Sequence, residues 1–133
     1  MTPAKAVIIG AEPQLFVSDI KTSCDFFTHK LGFAVVFTSG TPAFYAQVKR
    51  DGALVNLRHL DQPFVDTHLR DREQLLSASF TVGTAAEIDG LFVEFQTAGA
   101  AFLQSLKSES WGAKDFIVKD PDGNLLLFAG PVR

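Results

Sequence analysis

Residues 116–124 read Phe116-Ile117-Val118-Lys119-Asp120-Pro121-Asp122-Gly123-Asn124, an apolar run followed by a tight turn. Proline presets the backbone angle that starts such a turn, and glycine accepts the positive φ that closes it. The pattern predicts a hairpin between a strand over Ala113–Lys119 and a last strand over Asn124–Gly130. On this interpretation Asp120 and Asp122 form the turn and are not a catalytic pair of acids.

The segment before this hairpin completes a unit of one helix and four strands. A strand is predicted over Leu75–Gly83, where apolar and polar residues alternate. Thr84 and Glu87 have the spacing of a capping box, which starts a helix, and Gly99 ends it. One further strand, Ala100–Leu106, precedes the hairpin, so the order is strand–helix–strand–strand–strand.

The first half of the chain repeats this order. A helix is predicted to begin at Ser18 or Asp19 and to end at Gly32. Its apolar residues recur at helical spacing, which indicates one buried face. The strands around it are predicted over Glu12–Ser18, Phe33–Thr38, Ala43–Arg50 and Ala53–Leu60.

We therefore predict an α+β fold, with two βαβββ modules that form curved mixed sheets around a cup. Residues 1–133 form one domain, with a first module at 10–60, a linker at 61–74 and a second module at 75–130. Each module's helix covers only one face of its sheet. The bare faces must meet each other or a partner subunit, and a groove between them is where a ligand would bind.

Composition excludes several classes of function. The net charge is −3 and no stripe of Lys and Arg occurs, which argues against a nucleic-acid partner. The longest apolar runs, such as Leu125–Ala129, are too short to cross a membrane, and the first residues lack the pattern of a signal peptide. Cys24 is the only cysteine, so no intrachain disulfide can form. We expect a cytoplasmic protein.

Two stretches carry a resemblance to a known family. One is Phe16–Ile20 followed by Phe26–Phe33, and the other is Trp111-Gly112 followed by Phe116–Asn124. Together they resemble the glyoxalase/bleomycin resistance protein/dioxygenase (vicinal oxygen chelate) superfamily. The resemblance implies paired βαβββ modules, often dimeric, whose sheets form an open cup. It is closest in character to the metal-free bleomycin-resistance branch, which sequesters a drug without altering it.

The resemblance also implies where a metal would bind. The family's ligand positions fall here on Glu12, Asn56, Ser77 and Leu127. Divalent metals in such centres need imidazole or carboxylate ligands, and only Glu12 supplies one. His29, His59 and His68 are expected at a helix end, on the opposite strand face and in the linker. We therefore predict no metal site, no cofactor and no catalytic residue.

A cup without a metal needs stacking rings and a few polar anchors. By strand alternation its inner face is predicted to carry Glu12, Gln14, Phe16, Leu54, Asn56, Arg58, Ser77, Ser79, Thr81 and Leu127. The residues predicted to bind the ligand are Glu12, Gln14, Phe44, Tyr45, Asn56, Arg58, Ser77, Trp111 and Phe116. Two assignments have an alternative: Trp111 as a plug at the end of the sheet, and Glu12 with Arg58 as a simple ion pair.

These residues favour a homodimeric, metal-free protein that binds and sequesters an aromatic or antibiotic-like small molecule. The alternative is a metal-dependent lyase, isomerase or dioxygenase of the same superfamily with unusual ligands. A third interpretation is a dimeric domain whose cup is filled by its own side chains, since the chain has 13 Phe. The sequence leaves open whether the modules pair within one chain or exchange between two.

Overall fold

The computed structural model describes residues 4–63 and 65–133. Two four-stranded sheets have the strand orders β1-β4-β3-β2 and β5-β8-β7-β6. In each sheet the first and last strands of a module pair in parallel, and the other pairs are antiparallel. The elements are β1 (Gln14–Val17), α1 (Ile20–His29), β2 (Ala34–Ser39), β3 (Tyr45–Arg50), β4 (Ala53–His59), α2 (Thr67–Glu73), β5 (Ala78–Thr81), α3 (Ala85–Thr97), β6 (Ala101–Ser108), β7 (Ala113–Lys119) and β8 (Leu125–Pro131).

The predicted α+β architecture of two βαβββ modules is confirmed. Asp19 caps α1 by accepting a hydrogen bond from the Thr22 N–H at 2.8 Å, and Gly32 follows the helix with a φ of +73°. Thr84 caps α3 and accepts from the Glu87 N–H at 3.1 Å. The Glu87 carboxylate differs from the predicted capping box, because it accepts from the Thr84 hydroxyl and not from a backbone N–H.

The two modules share one apolar core under their helices. Phe33 of the first module and Phe80 of the second meet edge to face, with ring centroids 6.1 Å apart. Arg50, at the end of β3, donates from both terminal nitrogens to Glu94 of α3, at 2.6 and 3.0 Å. Apolar packing and an ion pair therefore both cross between the modules.

The turn after β7 makes a buried polar connection between the halves. Asn124 is 4% exposed and its amide donates to the Phe16 carbonyl at 3.1 Å and to Asp120 Oδ2 at 2.8 Å. Its side-chain oxygen accepts from Arg70 at 2.7 Å and from Ser77 at 3.1 Å. One side chain therefore connects the turn, β1, α2 and the residue before β5.

The predicted linker contains a helix that the sequence pattern did not indicate. Asp66 caps α2 by accepting from two N–H groups, and no residue of this helix is buried. Without an apolar stripe it lacks the periodic signal of an amphipathic helix. The strand predicted over Leu75–Gly83 is correspondingly shorter, because the Leu75 N–H bonds to the Arg70 carbonyl at the helix end. Within the described residues, no helix is long and apolar enough to cross a membrane.

Replacing Asn124 with Ala tests the polar connection between the halves. The change removes the hydrogen bonds that the Asn124 side chain makes with the Phe16 carbonyl, Asp120, Arg70 and Ser77, so we expect a loss of about 2–4 kcal/mol in the free energy of unfolding. Urea denaturation followed by circular dichroism measures it. Asn56→Ala is the matched control, since Asn56 is only half-buried, and should cost under about 1 kcal/mol. Equal losses in the two variants would contradict the assigned role.

The buried carboxyl of Asp120 should make the stability of the protein depend on pH. Burial raises the pKa of its carboxyl to about 6, although hydrogen bonds from Asn124 and Asp122 oppose this. The folded state then holds the proton more tightly than the unfolded state, so the contribution of Asp120 is greatest below about pH 4 and is lost as the pH rises through about 6. Across that pH range, the free energy of unfolding of the native protein should fall by about 2–3 kcal/mol more than that of the Asp120→Asn variant. A pH-independent difference between the two would contradict it.

Candidate functional site

The open face of the first sheet gathers the polar and aromatic side chains of the candidate site. On β1, β3 and β4 every second residue packs against α1, and these core residues are at most 1% exposed: Leu15, Val17, Ala46, Val48, Val55 and Leu57. The residues between them point away from the helix. We call the resulting surface the platform. It consists of Gln14, Tyr45, Gln47, Asn56 and Arg58, together with Phe37, which lies opposite Gln47 on β2.

A row of amides crosses the centre of the platform. Gln14, Asn56 and Gln47 lie opposite one another on β1, β4 and β3. The Gln47 amide donates to Asn56 Oδ1 at 2.9 Å, which fixes the orientation of both groups. Such a row can recognise a planar ligand by its polar edges.

Aromatic rings and one cation lie beside the amides. The Tyr45 ring stacks on Phe37 with centroids 6.1 Å apart and planes 23° apart, and its hydroxyl donates to Gln14 Oε1 at 3.3 Å. Arg58 lies opposite Tyr45 on one neighbouring strand and Phe16 on the other. Phe37 is 43% exposed, so the stacked pair leaves ring surface free for a ligand.

The open face of the second sheet is more apolar than the platform, and its side chains are more buried. Ser79, Leu127 and Ile117 lie opposite one another on β5, β8 and β7, and Ile117 is only 2% exposed. Asp115 accepts from the Gln104 amide at 2.7 Å. Burial raises the pKa of Asp115, and the neighbouring Glu109 carboxylate adds to the rise. This face therefore offers less polar surface than the platform.

A cleft of about 760 Å³ lies at the junction of the modules. Aromatic rings of Phe33, Phe80, Phe95 and Phe128 line it, together with the Arg50–Glu94 ion pair. A smaller cleft of about 350 Å³ lies beside α2. Neither cleft is lined by the amide row, so the platform is a separate, open surface.

Four predicted ligand-binding residues lie together on the platform: Gln14, Tyr45, Asn56 and Arg58. Glu12 is exposed just before β1, and Arg58 forms no ion pair with it or with any other described residue. The ion-pair alternative is therefore not realised. Phe44 is 52% exposed in the turn before β3. Trp111 is 72% exposed in the loop between β6 and β7, so it plugs nothing in the single chain.

Two predicted residues lie elsewhere. Phe116 is fully buried among Phe92, Phe95 and Phe128, on the helix side of β7, and the assignment of its ring to a ligand is corrected to the core. The prediction could not fix which face of β7 points inward. The Ser77 hydroxyl bonds to Arg70 and Asn124, which makes it part of the inter-module network.

The platform includes two residues that the sequence interpretation missed. Gln47 has the same strand parity as Tyr45, so the alternation in β3 was a usable signal. Phe37 was not identifiable in this way, because the register of β2 against β3 shifts between Val35 and Phe37. A shift of this kind moves a side chain to the other face.

The family's metal positions do not fit a metal ion. The Asn56 side-chain oxygen accepts from Gln47, the Ser77 hydroxyl is held by Arg70, and Leu127 has no donor atom. Residues 4–63 and 65–133 contain no group of three or more His, Cys, Asp or Glu side chains that could hold a metal. His59 bonds to Asp61 at 2.7 Å. The donor set thus lacks the imidazoles and carboxylates that such a centre requires.

Residues 9–128 match the model of the Glyoxalase/Bleomycin resistance protein/Dioxygenase superfamily. The chain belongs to this superfamily. Bleomycin resistance proteins of Geobacillus stearothermophilus and Staphylococcus aureus are 32% identical to it over 129 residues, covering 91% of this chain and 96% of theirs.

Solved structures agree on the fold of this superfamily member. A bleomycin-binding protein from Streptomyces verticillus, complexed with copper(II)-bleomycin, has a TM-score of 0.69 at 20% identity, covering 93% of this chain and 97% of that one. A glyoxalase-related enzyme from Clostridium phytofermentans has a TM-score of 0.73 at 16% identity, covering 95% and 97%. At these identities the likeness concerns the fold alone, since binding proteins and enzymes share it.

Proposed function

We propose that this protein is a metal-free binding protein that sequesters an aromatic, antibiotic-like small molecule without altering it. The observation that carries the proposal is the platform, where a half-exposed aromatic stack adjoins an ordered row of amides. Stacking on aromatic rings contributes about 0.5–1.5 kcal/mol per pair beyond the burial of apolar area. Amides held by neighbours lose little freedom when a ligand binds, which favours affinity.

The chemistry of the platform supports binding over catalysis. Catalysis at such a face needs an activated nucleophile, a general base or a metal that polarises the substrate. The platform offers amides, a phenol and a guanidinium, and three of the family's four metal positions, Asn56, Ser77 and Leu127, lack an imidazole or carboxylate to accompany Glu12. These groups orient and hold a ligand. The bleomycin resistance proteins, at 32% identity over almost their whole length, make bleomycin the first ligand to test.

A homodimer is part of the proposal. The platform is open on the side away from α1, and a second copy that faces it would turn an open sheet into a closed cup. Several large apolar side chains of the single chain are exposed, among them Val7, Ile8 and Ile9 at 81%, 90% and 98%. Surface of this kind marks an interaction site in soluble proteins. We also place the protein in the cytoplasm, because Cys24 is a buried free thiol.

Isothermal titration calorimetry tests ligand binding directly. Titration with metal-free bleomycin should give a saturable heat of binding, and mass spectrometry should recover the drug unchanged. Tyr45→Ala removes half of the aromatic stack and should weaken binding by about 10-fold. Val93→Ala is the control, since Val93 is an exposed residue of α3, on the helix side of the sheet. Product formation that requires a divalent metal would contradict the proposal and favour an enzyme.

Sedimentation equilibrium tests the dimer. We expect a species of about 29 kDa, twice the 14.5 kDa of one chain. Ile8→Asp places a charge in the exposed apolar segment and should shift the equilibrium toward the monomer, because burying an unpaired charge is costly. Val93→Asp, at an exposed apolar site outside that segment, should leave the mass unchanged. A monomer at every concentration would contradict this part of the proposal.

A further inference from the structure

Arg58 is a cation on the platform that the protein itself does not neutralise. Its side chain is exposed, and the hydrogen bond it donates is to the neighbouring His59 carbonyl at 3.3 Å. Arg50 provides the contrast, since both of its terminal nitrogens bind the Glu94 carboxylate. Within residues 4–63 and 65–133, no carboxylate lies within ion-pair distance of Arg58. Its fork of N–H donors is thus free to bind an anion.

The surroundings of Arg58 strengthen such an interaction. Phe16 and Tyr45 lie opposite it on β1 and β3, on the same face, and both are half-buried. Aromatic residues therefore stand on both strands that neighbour the Arg58 position, and a charge pair formed beside apolar groups gains strength as the local dielectric constant falls. The guanidinium is also suited to this environment, because it is planar and weakly hydrated.

The other charges near the platform do not compete for Arg58. Lys49 shares its face and is exposed, so it adds to the positive charge. Asp61 follows β4 but pairs with His59, whose position in β4 is of opposite parity. Glu12 is exposed before β1 and makes no ion pair with another residue of 4–63 or 65–133. The platform therefore presents net positive charge in a protein whose overall charge is −3.

Register sets the distance between the cation and the aromatic stack. Arg58 and Tyr45 are directly opposite on adjacent antiparallel strands, which lie about 4.8 Å apart. A planar ring that stacks beside Phe37 and Tyr45 above β3 would place a substituent one strand away, over β4. A carboxylate at that point can accept two parallel hydrogen bonds from the guanidinium.

We infer that the ligand of this protein is a planar aromatic carboxylate, whose ring stacks on Phe37 and Tyr45 and whose carboxylate binds Arg58. The inference rests on the proposed function and specifies its ligand class. On the same face of the sheet, the amide row is the next set of facing residues along the strands. There it can bind polar groups on the far edge of the ring. A neutral or cationic ring of the same shape would leave Arg58 without its partner.

Two probes of equal shape test this: 2-naphthoate and 2-naphthamide, titrated into the full-length protein and followed by NMR. A charge-assisted hydrogen-bonded pair is worth about 1.5–3 kcal/mol, so naphthoate should bind at least about 10-fold more tightly than naphthamide. Arg58→Gln should reduce this ratio to near one. Lys49→Gln removes a positive charge from the same face and should preserve it. Arg58→Lys should restore part of the ratio, because it keeps the charge but loses the fork.

The outcomes separate the inference from the function on which it rests. Equal affinity for the two probes, or a preference that survives in Arg58→Gln, overturns the aromatic carboxylate while leaving a binding protein in place. Binding of bleomycin with no binding of either probe also overturns it. Failure of bleomycin and both probes to bind overturns the proposed function itself. Thermal melting of each variant checks that the fold is intact, which we expect since Arg58 is exposed.

Discussion

The structure depends on the hydrogen bonds of one buried side chain, that of Asn124. Its amide group is bound by four partners, the Phe16 carbonyl, Asp120, Arg70 and Ser77, which belong to β1, the turn before β8, α2 and the approach to β5. A buried amide that lost these partners would cost more than the bonds gain, because its polar atoms would stay without water. The network therefore holds the second module's turn against the first module's first strand, and it acts together with the Phe33–Phe80 contact and the Arg50–Glu94 ion pair to place the two sheets.

The placement of the sheets determines which faces can bind. The helices α1 and α3 lie over a shared apolar core, and Phe33 contacts Phe80 across the module boundary. Since the helices occupy one face of each sheet, strand alternation sends every second side chain to the other face. On the first sheet those side chains are amides, aromatic rings and an arginine. On the second they are mostly small or apolar, and Ile117 is already buried. The asymmetry arises from residue identity, since the two modules have the same topology.

Much of this was predictable from the sequence, and the exceptions have physical causes. The capped helices, the turn at Asp120–Gly123 and the parity of β1 and β4 are local patterns, and they identified Gln14, Asn56 and Arg58 as neighbours. Phe116 was assigned to the wrong face because Phe116, Ile117 and Val118 are consecutive apolar residues, so alternation carries no signal there. The helix α2 was missed because it buries no residue, and Phe37 because a bulge changes the register of β2. Tertiary burial and register shifts are not local properties, and a single sequence does not encode them as patterns.

The same topology accommodates enzymes and binding proteins because the cup and the chemistry are separable. A metal centre needs its ligands on strands from both modules, so it depends on four positions that are far apart in sequence. In this chain those positions are Glu12, Asn56, Ser77 and Leu127, and two of them have acquired structural bonds instead: Asn56 with Gln47, and Ser77 with Arg70 and Asn124. A metal ligand must direct a lone pair at the ion, whereas a binding surface gains rigidity when its amides are held by one another. The hydrogen bond between Gln47 and Asn56 thus orders a surface for recognition, and it does so with the atom that a metal would need.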